Sequence, residues 1–426
     1  MEGRCRLNQV EFSPAVLKEV ERQMEIIGRG TVDILPLNEM KDKLARSIRD
    51  NRPLRVKQGF DPTAPDIHLG HAVCIRKLKQ FQELGHQVVL IVGDYTGLVG
   101  DPSGRSATRP QLEYDVILEN AKTYQEQFFK ILDASKTEVV RNGDWFKKMQ
   151  FAEVMHLAAK YTVARVLERD DFAIRFREGS PISVHELMYP LMQAYDSVAI
   201  RADVEIGATE QKFNLLAGRT IQESYGLEPQ CILTMPVLVG TDGERRMSKS
   251  LGNYIGIDET PREMFGKVMS IPDRLIYDYF LYTTNATSAE LEAVKRRLAD
   301  GATNPMELKR ELGIAIVDAY HPAGSGKEAS EEFTRMFSEK ELPDEMPELN
   351  PSELKKLGVD PAKIYLVHLM TKAGLARSSS EARQLIESGS VRLDGDKVVD
   401  INAELALKSE VVLKVGKRRF LRLKPR

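Results

Sequence analysis

Two histidines, His68 and His71, lie three residues apart at the end of the segment GFDPTAPDIHLGH, residues 59–71. Residues at this spacing share one face of a helix. The N-terminus of a helix attracts anions, and Gly70 lets a ligand approach the backbone because it has no side chain. Two imidazoles beside a helix N-terminus would suit a polyphosphate whose charge shifts during a reaction.

A metal site and a purely structural role are the alternatives for this pair. Its spacing lacks the glutamate and the four-residue separation of a zinc-protease helix. The three cysteines, Cys5, Cys74 and Cys231, are widely separated and form no cluster that would complete a site. We therefore expect no protein-bound metal. A lone H-x-x-H pair would more often cap or pack than bind a ligand, so the histidines need support from a second motif.

The second motif is ERRMSKS, residues 244–250, which follows the strand-like TMPVLVG and the turn TDG. Basic residues in a short, hydroxyl-rich loop can reach triphosphate oxygens when the loop closes. Alone, such a loop would usually be a solvated surface. Together with the histidine pair, it indicates a nucleotide site.

A third motif, YPLMQAYDSVAI, carries a set of polar side chains. If a helix starts or bends at Pro190, then Tyr189, Gln193 and Asp196 fall at i, i+4 and i+7 on one face. A phenol, an amide and a carboxylate on one stripe suit a small zwitterion that itself carries a phenol. The alternative is an ordinary amphipathic helix with a polar side.

The elements that must position these side chains follow from the pattern of apolar residues. LRVKQGF (54–60) is typical of a strand, and GHAVCIRKLKQFQELG (70–85) has helical periodicity. QVVLIVGDYT (87–96) is an almost wholly apolar strand of the kind buried in a parallel sheet. In such sheets, ligands bind at the carboxyl ends of the strands. We therefore predict an α/β fold with a doubly wound, Rossmann-like parallel sheet.

The order of the patterns predicts several segments along the chain. Residues 1–240 form the Rossmann-like catalytic domain, with a helical insertion at about 150–200. Residues 241–337 contain the basic loop and a helical domain. The proline-rich and acidic residues 338–361 are expected to be a linker, and residues 362–426 a small α+β domain.

Composition adds expectations about partners and location. The 426 residues, 42% of them hydrophobic, carry a net charge of −2, which is typical of a globular protein with two or three domains. Residues 361–426 hold 14 Lys and Arg but 7 Asp and Glu, so this module either meets a polyanion or presents a solvated basic surface. With no signal-peptide segment, no run of 18 apolar residues and few cysteines, we expect no membrane partner and a cytoplasmic location.

The two loops together resemble the signatures of the class I aminoacyl-tRNA synthetases, written HIGH and KMSKS, with Leu69 for the isoleucine and Arg246 for the first lysine. GFDPTAPDIHLGH, TGLVGDPSG, YPLMQAYDS, GATEQKFN and RMSKS occur in this order and resemble the tyrosyl-tRNA synthetase family, in a bacterial branch, almost across the chain. The resemblance implies a tyrosine–tRNA ligase. Such an enzyme activates L-tyrosine with ATP to tyrosyl-adenylate, then transfers it to the 3′ end of tRNA(Tyr).

The resemblance also implies which residues hold tyrosine. Asp101, Tyr189 and Gln193 match positions that hold the substrate ammonium. Asp196 matches the carboxylate that accepts the phenolic hydroxyl, and Gln211 an amide at the substrate carboxylate. The full set implied for tyrosine is Lys57, Gly59, Asp101, Tyr189, Gln193, Asp196 and Gln211.

For ATP, the resemblance implies phosphate contacts from the two histidines and a mobile-loop lysine, Lys249. His68, His71 and Lys249 are thus the expected catalytic residues. The full ATP set is Asp61, Thr63, His68, Gly70, His71, Gly207, Glu210, Met247, Ser248 and Lys249. ATP with Mg²⁺ is expected as a substrate, held mainly through phosphates and water, with no tightly bound cofactor.

Two further partners are implied. The tail resembles the small RNA-binding domain named after ribosomal protein S-four, which implies contacts to tRNA from Lys372, Arg377, Ser378 and Arg383. The helical region at 150–200 resembles the family's dimer interface. Its apolar residues Phe151, Val154, Leu157 and Ala158 would need cover, so we expect a homodimer.

Some positions depart from the better-known family pattern. Lys57 stands where one branch places a second partner for the tyrosine hydroxyl. GATEQ replaces a usual G-G-x-D-Q, with Ala208 for Gly and Glu210 for the Asp that contacts ribose. The sequence leaves open what Lys57 contacts and whether Glu210 reaches the ribose. A tryptophanyl enzyme, disfavoured by Asp196 and the basic tail, and a non-catalytic RNA-binding relative remain alternatives.

Overall fold

The computed structural model describes residues 12–62, 67–101, 114–300, 303–338, 346–416 and 419–425. The chain divides into two compact units, Met1–Lys327 and Glu328–Arg426. We describe each unit by itself.

A six-stranded sheet forms the centre of the first unit. Its strand order is β1-β6-β5-β2-β3-β4, and β1 alone is antiparallel to its neighbour. The strands are β1 Asp33–Leu35, β2 Arg55–Phe60, β3 Gln87–Val92, β4 Thr137–Arg141, β5 Val204–Ala208 and β6 Cys231–Met235. The prediction of a doubly wound, mainly parallel sheet is confirmed.

The inner strands are buried along nearly their whole length. In β3, every residue from Val88 to Val92 is buried, and all five residues of β6 are buried. Helices cover both faces of a parallel sheet, which is why these strands are almost continuously apolar. Lys57 in β2 and Glu205 in β5 are charged exceptions.

The chain order places a crevice at the carboxyl end of β2. From β2 the chain adds β3 and β4 on one side, then returns to add β5 and β6 on the other. Where the direction of winding reverses, the loops leave on opposite faces and open a crevice for a ligand. The HLGH segment, residues 68–71, comes after β2 in the chain, and GATEQ, residues 207–211, spans the end of β5.

The helices of the first unit are α1 Pro14–Gly28, α2 Leu37–Asp50, α3 Leu69–Glu83, α4 Thr96–Val99, α5 Tyr114–Phe128, α6 Gly143–Phe146, α7 Phe151–Ala158, α8 Val163–Val166, α9 Asp170–Arg177, α10 Val184–Ile200, α11 Lys212–Ser224, α12 Pro261–Val268, α13 Ile276–Thr283, α14 Ser288–Ala299 and α15 Pro305–Tyr320. Helix α16, Ser325–Ser338, begins at the end of the first unit and belongs mostly to the second.

Helix α10 is longer than the sequence predicted. It begins at Val184, before Pro190, and the proline lies inside it. The start is fixed by Glu186, whose carboxylate accepts from the backbone N–H of Ser183 at 2.9 Å and pairs with buried Arg175 at 2.7 Å. The expected stripe of polar residues is nevertheless on one helix, because the residues that follow Pro190 keep helical geometry.

The insertion at 150–200 also differs from expectation in one residue. Leu157 is buried, 1% exposed, in a cluster with Leu191, Ala194, Ala217 and Ile221 of α10 and α11. It therefore packs within its own chain and needs no cover from a partner. Phe151, at the start of the same helix, is 78% exposed.

The second unit is an α+β domain with a five-stranded sheet, order β10-β9-β12-β13-β7, and a two-stranded sheet, β11-β8. Its strands are β7 Glu348–Leu349, β8 Ile364–Tyr365, β9 Val391–Leu393, β10 Asp396–Lys397, β11 Glu404–Leu405, β12 Val411–Val415 and β13 Arg419–Leu423. Its helices after α16 are α17 Pro351–Lys356, α18 Leu366–Lys372 and α19 Ser379–Glu387.

The prediction of a linker over 338–361 was wrong for its second half. Strand β7 pairs with β13, and Leu354 of α17 is fully buried in the core of this unit. The segment looked like a linker because it is acidic and rich in proline. Two of its residues are helix signals here, since Asn350 caps α17 and Pro351 is the first residue of that helix.

Within the residues that the structure describes, no helix is both long and apolar enough to cross a membrane.

We expect a fragment of residues 346–426 to unfold cooperatively at a higher temperature than a fragment of residues 362–426. The shorter fragment lacks β7 and several buried side chains, among them Leu354 and Val359, at 0% and 3% exposure. Their burial contributes roughly 3–6 kcal/mol to the free energy of unfolding. Thermal melts followed by circular dichroism measure the difference. Equal melting temperatures would show that residues 346–361 are a linker after all.

Candidate active site

The crevice is organised around Asp61, which follows β2. Its Oδ1 accepts from the hydroxyl of Thr96 at 2.7 Å, and its Oδ2 accepts from the hydroxyl of Tyr189 at 2.7 Å. A Cβ on Gly93 would lie 2.1 Å from the same Oδ1, so only glycine permits this approach. The carboxylate therefore joins β2 to α4 and α10. It brings a residue expected at ATP into contact with one expected at tyrosine.

Below the crevice, Lys57 and Glu205 form a buried ion pair. They are register partners on β2 and β5, with Nζ and Oε1 3.0 Å apart and side chains 0% and 1% exposed. The Lys57 ammonium also donates to the carbonyl of Gln193 at 2.9 Å and to the hydroxyl of Ser197 at 2.7 Å. Lys57 is thus engaged by groups of its own chain, two of them on α10.

The amide of Gln193 continues this network toward α11. Its Nε2 donates to Glu205 at 3.1 Å, and its Oε1 accepts from Asn214 at 3.1 Å. Asn214 donates to Gln211 as well, also at 3.1 Å, and Gln211 donates to Asp101 at 2.6 Å. Four residues implied for tyrosine, Lys57, Gln193, Gln211 and Asp101, are therefore linked through Glu205 and Asn214.

Asp196 lies at the bottom of the same region and is 3% exposed. Its Oδ1 accepts from the indole N–H of Trp145 at 3.0 Å, and its Oδ2 from the amide of Asn142 at 3.4 Å. Burial raises the pKa of Asp196 to about 7, although the nearby Lys57 ammonium and these hydrogen bonds act in the opposite direction. Asn142 also donates to Thr96 at 2.9 Å, which connects Asp196 to Asp61.

The histidine pair stands at the start of α3. His68 is the N-cap residue, its ring stacks on that of His71 with centroids 3.9 Å apart, and its backbone N–H donates to His71 Nδ1 at 3.4 Å. Burial lowers the pKa of His68 to about 2, helped by the positive charges of His71 and Lys249, and burial lowers the pKa of His71 to about 4. Both imidazoles are neutral at pH 7.

One feature of this pair points to a ligand. The Nδ1 atom of His68 is buried and has no hydrogen-bond partner among the described residues. A Cβ on Gly70 would lie 2.9 Å from that atom and 3.5 Å from Cβ of Met247, so glycine lets the His68 ring lie against the backbone between the two signature motifs.

Buried Asn253 fixes the basic loop. Its Oδ1 accepts from the backbone N–H of Ser248 at 2.8 Å, and its Nδ2 donates to Asp242 at 2.9 Å and to the carbonyl of Arg246 at 3.0 Å. Lys249 opens the short 3₁₀ turn that follows. The loop is therefore held at its base, with Met247 packed inward at 5% exposure.

Glu210 faces this loop. Its carboxylate pairs with Arg246, with Nη1 at 2.9 and 3.1 Å from the two oxygens. Nearby, a Cβ on Gly207 would lie 3.1 Å from Cβ of Gln211. Two of the positions that depart from the family pattern, Glu210 and Arg246, thus contact each other.

The other predicted residues lie as follows. Gly59 is exposed at the end of β2 with open space where a Cβ would be. Thr63 lies outside the described residues. The four residues implied for RNA belong to the second unit, where they are exposed at the end of α18, just before α19 and within α19: Lys372, Arg377, Ser378 and Arg383.

Sequence reasoning missed the residues that support this site. Asn142 and Trp145 directly follow β4, whose carboxyl end borders the crevice, and that position was the available signal. Glu205 and Asn214 had no comparable signal, because their roles depend on strand pairing and helix rotation. Among the described residues, no group of three or more His, Cys, Asp or Glu side chains could hold a metal ion.

Comparison with known protein families shows which family the chain belongs to. Residues 49–338 match the family described as tRNA synthetases class I (W and Y), and residues 345–423 match the tyrosine–tRNA ligase SYY-like C-terminal domain. The first match covers more than half of the chain. The chain therefore belongs to the class I tRNA synthetases.

Individual relatives narrow this result. The chain is 54% identical over 407 residues to the tyrosine–tRNA ligase of Carboxydothermus hydrogenoformans, and the aligned region covers 95% of this chain and 98% of the relative. It is 49% identical over 403 residues to that of Aquifex aeolicus, covering 95% and 98%. Within its class, the chain belongs to the tyrosine–tRNA ligase family, as its motifs predicted.

Solved structures agree on the fold. A tyrosyl-tRNA synthetase from Archaeoglobus fulgidus, complexed with L-tyrosine, has a TM-score of 0.58 at 22% identity and covers 73% of this chain and 99% of that one. A C-terminally truncated mitochondrial tyrosyl-tRNA synthetase from Aspergillus nidulans has a TM-score of 0.62 at 21% identity, covering 76% and 98%.

The pKa of Asp196 predicts how stability changes with pH. Because burial raises this pKa from an ordinary 3.8 to about 7, the stabilisation from the protonated form is complete below about pH 4 and is lost as the pH rises through 7. Relative to Asp196→Asn, the free energy of unfolding of the parent should fall by roughly 4 kcal/mol over this range. Urea titrations of both proteins measure the difference, in which the contributions of the histidines cancel. A pH-independent difference would show that Asp196 has an ordinary pKa.

Proposed function

We propose that this chain catalyses tyrosine–tRNA ligation in two steps. The carboxylate of tyrosine attacks the α-phosphate of ATP, which forms tyrosyl-adenylate and releases pyrophosphate. The terminal hydroxyl of tRNA(Tyr) then attacks the adenylate carbonyl and releases AMP. The observation that carries this proposal is the hydrogen bond from Tyr189 to Asp61, because it joins the residues expected at tyrosine to those expected at ATP in one crevice.

In this proposal, Asp196 receives the phenolic hydroxyl. A carboxylate offers about four lone-pair positions, and Trp145 and Asn142 account for two of them. Asp101, Tyr189 and Gln193 receive the substrate ammonium, and Gln211 lies at the carboxylate. The substrate tyrosine enters the crevice past Gly59.

Lys57 acts beneath the substrate in this proposal. Its ammonium already contacts Glu205, Ser197 and the carbonyl of Gln193, all within 3.0 Å. Ser197 and Gln193 are both on α10, so Lys57 holds in place the helix that carries the substrate-binding side chains. It does not supply a second hydrogen-bond partner for the phenol of the substrate.

ATP binds along the two signature motifs. Neutral His68 and His71 donate to its phosphates, and the unsatisfied Nδ1 of His68 marks a position where a partner is required. Lys249 adds positive charge as pyrophosphate forms, Glu210 contacts the ribose, and Mg²⁺ accompanies the nucleotide. The remaining expected contacts come from Asp61, Thr63, Gly70, Gly207, Met247 and Ser248.

This site has no need of a strong nucleophile or of a general base. The attacking carboxylate of tyrosine is already ionised at pH 7. Transfer at phosphorus depends mainly on positioning and on stabilising the developing charge. Fixed amides, neutral imidazoles and one mobile ammonium supply both.

A homodimer is part of the proposal. Large apolar side chains in α7, α9 and the start of α10 are exposed, including Phe151 at 78%, Phe176 at 66% and Val184 at 78%. Monomeric proteins rarely leave several such side chains exposed along one segment. A second copy of the chain would cover them.

The second unit is proposed to bind tRNA(Tyr). Lys372, Arg377 and Arg383 are exposed and close in sequence, and Ser378 caps α19 between them. Basic side chains at a helix N-terminus suit a phosphate backbone.

The buried thiols of Cys74 and Cys231 and the need for tRNA support the proposal of a reducing, cytoplasmic location.

Tyrosine-dependent exchange of pyrophosphate into ATP tests the function. We expect the parent to exchange with tyrosine and not with tryptophan. Asp196→Ala should lower activation of tyrosine and narrow the preference over phenylalanine by at least about 10-fold, since phenylalanine no longer strands a buried carboxylate. Asp278→Ala on α13 is the control and should behave as the parent does. If Asp196→Ala exchanges normally and still excludes phenylalanine, the pocket is assigned wrongly.

Replacing Phe151 by Asp should convert the dimer to a monomer. A charge at the centre of an apolar interface must be desolvated without a partner. Val32→Asp, at another exposed valine (55%), is the control and should remain dimeric. Sedimentation at micromolar concentration measures both. A parent protein that is itself monomeric there would contradict the proposed interface.

Deleting residues 346–426 should preserve tyrosine-dependent exchange but abolish most charging of tRNA. Binding of tRNA should also depend less steeply on salt, because each lost phosphate contact removes about 0.9 from the log–log slope on a duplex. Filter binding between low and moderate salt measures the slope. Normal charging by the truncated protein would show that the second unit is not needed to hold tRNA.

A further inference from the structure

A single buried amide, that of Asn214, lies between two side chains expected to bind tyrosine. Its Nδ2 donates to Oε1 of Gln193 and to Oε1 of Gln211, both at 3.1 Å. Asn214 is on the first turn of α11 and is 1% exposed. Nothing in the chemistry of the reaction requires this residue, so its contacts call for a separate explanation.

The orientation of all three amides is determined by groups that can only donate or only accept. Arg169, which has no acceptor, donates to Oδ1 of Asn214 at 3.3 Å. The Nδ2 of Asn214 must therefore face the two glutamines, and each glutamine must turn its oxygen toward Asn214.

The far ends of the glutamines agree with this orientation. The Nε2 of Gln193 donates to Glu205, and the Nε2 of Gln211 donates to Asp101. Carboxylates accept and do not donate when ionised. A rotation of either amide by 180° would place oxygen against oxygen at one end and N–H against N–H at the other.

This orientation matches the two charged groups of an amino acid. The side-chain oxygen Oε1 of Gln193 has a second lone pair, which can accept a hydrogen bond from the substrate's ammonium group. The Nε2 of Gln211 has a second hydrogen, which can donate to a carboxylate. With both amides reversed, the site would offer a donor to the ammonium and an acceptor to the carboxylate.

We propose that Asn214, held by Arg169, is a positioning residue that sets the orientation of the Gln193 and Gln211 amides and thereby the recognition of the substrate's ammonium and carboxylate groups. This inference rests on the proposed function. It assigns no catalytic step to Asn214, which acts through the two glutamines.

Binding of tyrosine and two analogues tests the proposal. Tyramine lacks the carboxylate, and 3-(4-hydroxyphenyl)propionate lacks the ammonium. In the parent, calorimetry should show tyrosine binding more tightly than either. In Asn214→Asp, which has the shape of asparagine but no N–H donor, tyrosine should bind about 10- to 100-fold more weakly and its advantage over both analogues should shrink.

A second variant and a control separate positioning from folding. Asn214→Leu removes the same N–H donors without adding a charge, so it should also reduce the advantage of tyrosine over the two analogues. This variant tests the proposal if Asn214→Asp does not fold. Gln222→Glu is the control, since Gln222 is also on α11 and 1% exposed but its Nε2 donates to the backbone carbonyls of Ser197 and Ala202. It should keep the parental ratios even if its melting temperature falls.

Three ligands weakened by the same factor in folded Asn214 variants would overturn the proposal, because that result describes a general loss of packing. Unchanged affinities would also overturn it. A parent that binds no tyrosine would instead refute the proposed function, and this is measured first.

Discussion

The structure depends on a buried ion pair at the point where the sheet reverses its winding. Lys57 and Glu205 occupy paired positions on β2 and β5, and both side chains are excluded from water. Leaving either charge buried without its partner would cost several kcal/mol. The ion pair is therefore surrounded by polar side chains. Glu205 accepts hydrogen bonds from Gln193, Ser197 and Gln230. Since two of these donors are on α10, the requirement to satisfy the charges also fixes this helix over the crevice.

Once α10 is fixed, the polar side chains of the site have few alternative positions. Asp61 connects α10 to α4 through Tyr189 and Thr96, and Asn142 connects Thr96 to Asp196. The result is a hydrogen-bonded floor with a carboxylate at its bottom. A rigid floor suits a reaction that depends on placing two substrates in line, and buried Asn253 holds the base of the loop that carries Lys249.

The class of fold was predicted from the sequence for physical reasons that can be named, and most of the residues predicted to hold tyrosine share one hydrogen-bonded network in the structure. Continuous apolar strands predict a parallel sheet, and a parallel sheet predicts a crevice at its carboxyl edge. Glu205 and Asn214 could not be found this way, because only strand register and helix rotation bring them to Lys57 and Gln193. The linker prediction failed because the buried apolar residues of 346–361, which are Met346, Leu354 and Val359, follow no regular helical or strand period.

A double-mutant cycle on the buried pair tests the central claim most directly. The variants are Lys57→Met, Glu205→Gln and both together, measured for the free energy of unfolding and for tyrosine affinity. We predict that each single change lowers the free energy of unfolding by about 3–5 kcal/mol, because it strands a buried charge. The double variant should lose much less than the sum, yet still bind tyrosine more weakly because α10 has lost its anchor. Additive losses of stability, or parental tyrosine affinity in the double variant, would contradict the claim that this ion pair positions the site.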